Sequence, residues 1–273
     1  MHRNSLLFSP LSQRWTGAWN SRSMVSERPQ GMETLLTALI PFTFVLLLAL
    51  ERLFPARPLP RVRGWLLKGI VFFVLGGALS GLLPGLITRL LGAHVPFDLR
   101  GLGTVAGGLV GFALADLVSY ASHRLIHNVP ALWRWTHQLH HSAERLDVAG
   151  SAYFHPFDNL LQGGINLLAL LSLGLTPEAA ALAGYVGFFV GTFQHLNVRT
   201  PRWLGYVIQR PEAHSVHHAR GVHAYNYGNF MLWDQLFGTF RNPEAFAEPA
   251  GFWDGASSQL GPLLLGRDVS TPS

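Results

Sequence analysis

Three stretches of this chain, 34–50, 69–91 and 102–122, are apolar over 17, 23 and 21 residues, and between them they hold two charged side chains, Arg89 and Asp116. Backbone N–H and C=O groups in hydrocarbon find no water, so such a segment must satisfy them internally and be helical. The lengths bracket the roughly 20 residues that cross a bilayer. Charged residues make up 13% of the chain, about half the share usual in a soluble domain. These features predict an all-α fold: a polytopic membrane helical bundle of about three to five membrane helices, with a histidine-rich helical cap outside the hydrocarbon.

Residues 1–31 are polar, carry Arg3, Arg14, Arg22 and Arg28, and read as a disordered leader, with Met24 and Met32 both plausible starts. Pro41 lies inside the first apolar run, which a membrane helix tolerates. A basic loop over 54–68 follows. The second run is glycine-rich and interrupted by Pro84, so it reads either as one kinked span or as a re-entrant helix. The third holds Gly103, Gly107, Gly108 and Gly111, which let another helix approach closely. The apolar stretch 160–193 is broken at Thr176-Pro177-Glu178, where Thr176 can cap a helix that has Pro177 in its first turn. It predicts a helical hairpin, about 160–175 and 178–195, each arm short for a full span and both ends on one side. From Arg199 the chain turns polar and predicts a compact cap. Residues after Pro243 lack pattern and read as a peripheral tail.

Onto this frame the chain sets three histidine clusters: His123 with His127, His137 with His140 and His141, and His214 with His217 and His218. Residues at i, i+3 and i+4 share a helix face, so each cluster can aim its imidazoles at one region. Neutral imidazole is the commonest side-chain metal ligand. Eight imidazoles are too many for one tetrahedral zinc, which takes four ligands, and they suit two metal ions in a nitrogen-rich cage. Asp116 sits seven residues before His123, two helical turns, and so on the same face. A carboxylate at bilayer depth is expensive, and the expectation is that it holds an imidazole in one tautomer.

Composition closes other routes. The chain has no cysteine, which excludes disulfides, thiolate-ligated haem, all-cysteine iron–sulfur centres and cysteine-based zinc sites. The net charge of +5 comes from arginine flanking the apolar runs rather than from a basic stripe interleaved with aromatics, so no nucleic-acid partner is expected. Arg52, Arg57, Arg61, Arg63 and Lys68 lie near the ends of the first two runs and place that loop in the cytoplasm. Two spans later the chain returns to the same side at His123, so all three clusters are expected on the cytoplasmic face.

From Asp116 to Thr239 the sequence resembles the fatty acid hydroxylase/sterol desaturase superfamily of histidine-box membrane di-iron enzymes. The resemblance rests on an ordered set: Asp116, His123-Arg124-x-x-His127, Leu132-Trp133, His137-x-x-His140-His141-Ser142, His155-Pro156, His195-x-Asn197, His214-x-x-His217-His218, Asn226-Tyr227-Gly228 and Trp233-Asp234-x-x-Phe237-Gly238-Thr239. It implies two iron ions, with O2 as co-substrate. The implied ligands are His123, His127, His137, His140, His141, His155, His195, His214, His217 and His218, and His223 stays open between a ligand and a residue lining the cap. It implies an oxidoreductase that hydroxylates or desaturates an unactivated C–H bond of a membrane lipid such as a fatty acyl chain or sterol. No fused cytochrome b5-like domain is visible, so a separate electron-donor protein, cytochrome b5-like or a ferredoxin with its reductase, is expected. The organisation implied is an oxidase domain over 32–242, with its histidine-box region at 116–240, and a tail over 243–273. Two other readings of the histidines stand beside this one. A zinc-dependent membrane hydrolase would need a general base next to the ligands, where this chain has Arg124, Gln138 and Ser215. A non-catalytic metal-binding or transport protein would spread ionisable groups along several spans.

Overall fold

The computed structural model describes residues 31–91, 95–247 and 249–272, and residues 1–30 of the expected leader lie outside them. Among the described residues, three helices are long and apolar enough to cross a membrane: α1 (Met32–Leu53), α2 (Trp65–Leu91) and α3 (Gly103–Asn128). α2 is one continuous helix through Pro84. α3 outruns its apolar stretch and carries His123 and His127 on its last two turns. It stops at Val129, which takes an extended conformation ahead of Pro130, as the residue before a proline prefers.

The second histidine cluster follows at once. A helical turn, Pro130–Leu132, leads into a π-helical turn, Trp133–His137, and then into α4 (Gln138–His141). The widened turn, closed by the Gln138 N–H on the Trp133 carbonyl, is a device often found at functional sites. The hairpin follows as α5 (Pro156–Ser172) and α6 (Pro177–Phe193). Thr176 caps α6, its hydroxyl accepting from the Ala179 N–H at 3.2 Å. At 17 residues each, the arms are roughly 25 Å long, short of the hydrocarbon core.

α3 and α1 pack on α6, and α2 and α3 on α5. The small residues of α3 make this possible: a Cβ at Gly111 would lie 2.6 Å from Leu175 Cδ1, and one at Gly108 2.7 Å from Leu182 Cδ2. The hairpin tip pairs with the segment before α3, through Phe97 N–H to Ser172 O and Leu99 N–H to Leu173 O. Both hairpin ends therefore return to the side of the histidine clusters. The basic loop between α1 and α2 lies on that side as well: Ala56 N–H donates to Asn197 O, and Arg145 to Pro60 O.

The cap contains α7 (Pro211–His217), α8 (Leu232–Leu236) and α9 (Leu260–Leu264). No strand forms among the described residues, only isolated bridges. The stretch after Pro243, expected to be peripheral, is part of the core. Ala256, Leu263 and Val269 are buried with Trp65, Phe72, Leu139 and Tyr153. The Gln138 side chain is held between Arg267 O at 2.8 Å and Val269 N at 2.9 Å, so the tail braces the second histidine cluster from behind. Its few buried apolar side chains are spaced without a period, which is why the sequence hides this role.

Candidate metal centre

The structure gathers nine of the ten predicted histidines into two adjoining groups. One holds His123, His127, His137, His141 and His217; the other holds His140, His195, His214 and His218, the facing atoms in each lying within 4.8 Å of one another. The division follows helix geometry. Pairs four residues apart (123 with 127, 137 with 141, 214 with 218) stay in one group, while the residue at i+3 (His140, His217) crosses to the other. A step of four residues turns the helix by about +40° and a step of three by about −60°, so the two directions diverge. The groups touch where the His141 and His218 rings stack at 4.2 Å.

Hydrogen bonds fix the tautomers. A carbonyl or carboxylate oxygen can only accept, so an Nδ1 facing one must carry the proton. His123 Nδ1 donates to Tyr227 O at 2.8 Å, His127 Nδ1 to His223 O at 2.8 Å and His217 Nδ1 to Tyr225 O at 2.7 Å. His137 Nδ1 meets Asp158 Oδ2 at 2.6 Å, and His195 Nδ1 meets Gly191 O at 2.8 Å. In its neutral form each of these rings turns an Nε2 lone pair inward. His123 Nε2 then lies 2.9 Å from His137 Nε2 and 3.1 Å from His127 Nε2. Between neutral rings no proton is left to bridge those lone pairs, so they repel unless a cation sits among them. In the second group His195 Nε2 stands 3.1 Å from His140 Nε2 and 3.0 Å from His214 Nε2. The Nε2 atoms of His141 and His217 are buried without any protein partner. Convergent, unprotonated, buried imidazole nitrogens fit metal ions, and the donor set suits iron among other first-row metals.

Burial keeps the imidazoles neutral. It holds His140, His141, His214, His217 and His218 well below the usual histidine range, and neighbouring imidazoles push the same way. His195 is lowered by burial to about 4. Phe154 closes one side, stacked on His140 at 3.9 Å.

Two expectations from the sequence change. His155 stands outside both groups: it caps α5, its Nδ1 accepting from the Phe157 N–H at 3.1 Å while Nε2 donates to Leu264 O at 3.2 Å. That tautomer leaves no lone pair for a metal. Asp116 touches no imidazole; it accepts from Asn229 N at 3.1 Å, Asn229 Nδ2 at 2.9 Å and Phe230 N at 2.8 Å. Its side chain anchors the 229–230 backbone of the cap. The carboxylate that holds an imidazole is Asp158, which the sequence reading missed. Its signal was its place in the first turn of α5, three residues after His155. His223 borders the larger group, its Nδ1 3.1 Å from that of His141. A cleft of about 500 Å³ between the 52–67 loop and Arg145, Asp147 and Asn197 contains none of the nine histidines.

Residues 108–239 match the fatty acid hydroxylase family model. The chain is 37% identical over 140 residues to an ornithine lipid hydroxylase, OlsE, of Rhizobium tropici, covering 50% of this chain and 42% of that protein. It is 28% identical over 140 residues to a very-long-chain aldehyde decarbonylase, GL1-9, of Oryza sativa subsp. japonica, covering 48% and 53%. It is 26% identical over 155 residues to a Delta(7)-sterol-C5(6)-desaturase of Nicotiana tabacum, covering 54% of each. The chain thus spans about half the length of these curated relatives. No solved structure matches it. The three histidine clusters lie inside the matched segment and join in one centre, and it is this segment, residues 108–239, that is similar to the fatty acid hydroxylase family.

Proposed function

We propose that this protein is a membrane-bound, O2-dependent di-iron oxidase that hydroxylates an unactivated C–H bond of a membrane lipid, with desaturation as the variant outcome of the same chemistry. The observation that carries the proposal is the convergence of nine imidazoles in two adjoining groups, with the Nε2 atoms of His123, His127 and His137 facing one another while their Nδ1 atoms are held by oxygen acceptors. His123, His127, His137, His141 and His217 would hold one iron, and His140, His195, His214 and His218 the other. When bound, the iron pair supplies the reductive activation of O2 and the oxidising power for the C–H bond. The chain's own residues do the rest. Asp158 and the carbonyls of residues 191, 223, 225 and 227 keep Nδ1 protonated, so that Nε2 is free for metal. Phe154, stacked on His140, covers one side of the imidazoles. The apolar helices would deliver the lipid from the bilayer.

The basic loop and the histidine groups lie on one side of the bundle, and the positive charge of that loop supports a cytoplasmic placement. There a separate electron-donor protein would reach the cap. The hydrolase reading lacks a base: Asp158 reaches His137 from its outer nitrogen rather than from the metal-facing side. The test is Mössbauer spectroscopy on iron-57-grown, detergent-purified protein, followed by comparison of cell lipids with and without the gene. Two irons per chain and an O2-dependent lipid product are expected; a single zinc, with no iron taken up anaerobically, would overturn the proposal.

A further inference from the structure

We infer that the loop 223–227 is a rack: its backbone carbonyls, locked by Asn226, orient three imidazoles of the larger group and selectively set the metal affinity of that group. The inference rests on the reading of both groups as metal sites. His223, Tyr225 and Asn226 all have positive φ, at 41°, 69° and 47°, and no other non-glycine residue among the described ones does. Side-chain-bearing residues avoid this region, and such strain persists where the surroundings over-determine it, typically at functional sites. Three bent residues within four positions turn the carbonyls of 223, 225 and 227 onto His127, His217 and His123. Those rings come from two helices far apart in sequence, and one loop serves them all.

Asn226 is the lock. It is fully buried; its Nδ2 donates to Ala213 O at 2.8 Å and Arg241 O at 3.0 Å, and its Oδ1 accepts from Arg241 N at 2.7 Å. Its own N–H donates to Thr239 O, and its carbonyl accepts from Gln209. Asparagine is among the side chains that best tolerate this backbone conformation. Asp234 then fixes the exit of the loop, accepting from Tyr227 N and Gly228 N at 2.9 Å each. The smaller group receives nothing from this loop. Its one carbonyl partner, Gly191 O, belongs to α6. Losing an outer partner of a metal-bound histidine typically weakens metal binding 10- to 100-fold, so loosening the rack is felt by one metal of the two.

The test uses the full chain, purified in detergent and loaded anaerobically with iron-57 as Fe2+, in wild-type, Asn226→Ala and Tyr225→Gly forms. Tyr225→Gly keeps the backbone acceptor and relieves its strain, so it loosens the rack with little threat to folding. We expect a ferrous chelator to remove one of the two irons at least about tenfold faster from both variants, with one Mössbauer doublet shifted and the other unchanged. If Asn226→Ala does not fold, Tyr225→Gly decides alone. Wild-type release of both irons, or equal acceleration of both, would overturn the inference. A wild-type chain that takes up no iron pair overturns the metal-site reading, and the rack with it, before any variant is compared.

Discussion

Replacing Asp158 separates the charge of the His137 partner from its mere presence. The His137–Asp158 contact is 2.6 Å with both side chains almost wholly buried, so water does not compete for it. Bonds to a charged partner contribute about 1.5–3 kcal/mol and neutral ones about 0.5–1.5. Asp158→Asn keeps an oxygen able to accept from Nδ1 but removes the charge, a loss of about 1–1.5 kcal/mol, which is roughly tenfold in affinity. Asp158→Ala also strands a buried N–H, whose desolvation adds about 1–3 kcal/mol. The sum, near 3 kcal/mol, is on the order of 100-fold. Only the metal held by the larger group should respond, because no residue of the smaller group touches Asp158. The assay is anaerobic Fe2+ competition against a chelator on the detergent-purified variants, read as two dissociation constants per chain. Equal affinities for wild type, Asn and Ala would refute the reasoning, as would a matching loss at both sites.

Adjacent histidines should be separable. His140→Ala is expected to deplete the iron of the smaller group and His141→Ala that of the larger, with membrane insertion retained in both; loss of the same Mössbauer doublet by both variants would contradict the division. Acid should destabilise the metal-free protein. Burial lowers His195 and His223 to about 4, against roughly 6.5 for an unfolded histidine. Between those values the unfolded chain binds more protons, so stability is complete above about pH 6.5 and falls as the pH drops toward 4, by up to roughly 3 kcal/mol per group. Thermal melting of chelator-stripped protein from pH 7.5 to 4 checks the sign, and a flat profile would be inconsistent with buried neutral imidazoles.

Much of this molecule could be read along the chain because the relevant physics is local. Apolar length forces helices in hydrocarbon, Thr176-Pro177 starts α6 by satisfying its first N–H groups, and spacings of four put His123 beside His127 and His214 beside His218. What periodicity cannot say is which faces of different helices meet. The same helical phase that groups 137 with 141 sends 140 elsewhere, and its destination depended on where α6 delivers His195 and α7 delivers His214. Asp116 was the partner expected by sequence and Asp158 was passed over; packing set the first against the 229–230 backbone and the second against His137. His155 has the right side chain and lost its lone pair to the N–H of Phe157. The outer acceptors of the larger group are mostly backbone carbonyls, which every residue carries and no motif marks. The sequence by itself therefore determined the helices and the supply of imidazoles, whereas the division of those imidazoles between two centres, and the outer partner of five of them, was decided by folded contacts that bring together atoms up to 104 positions apart.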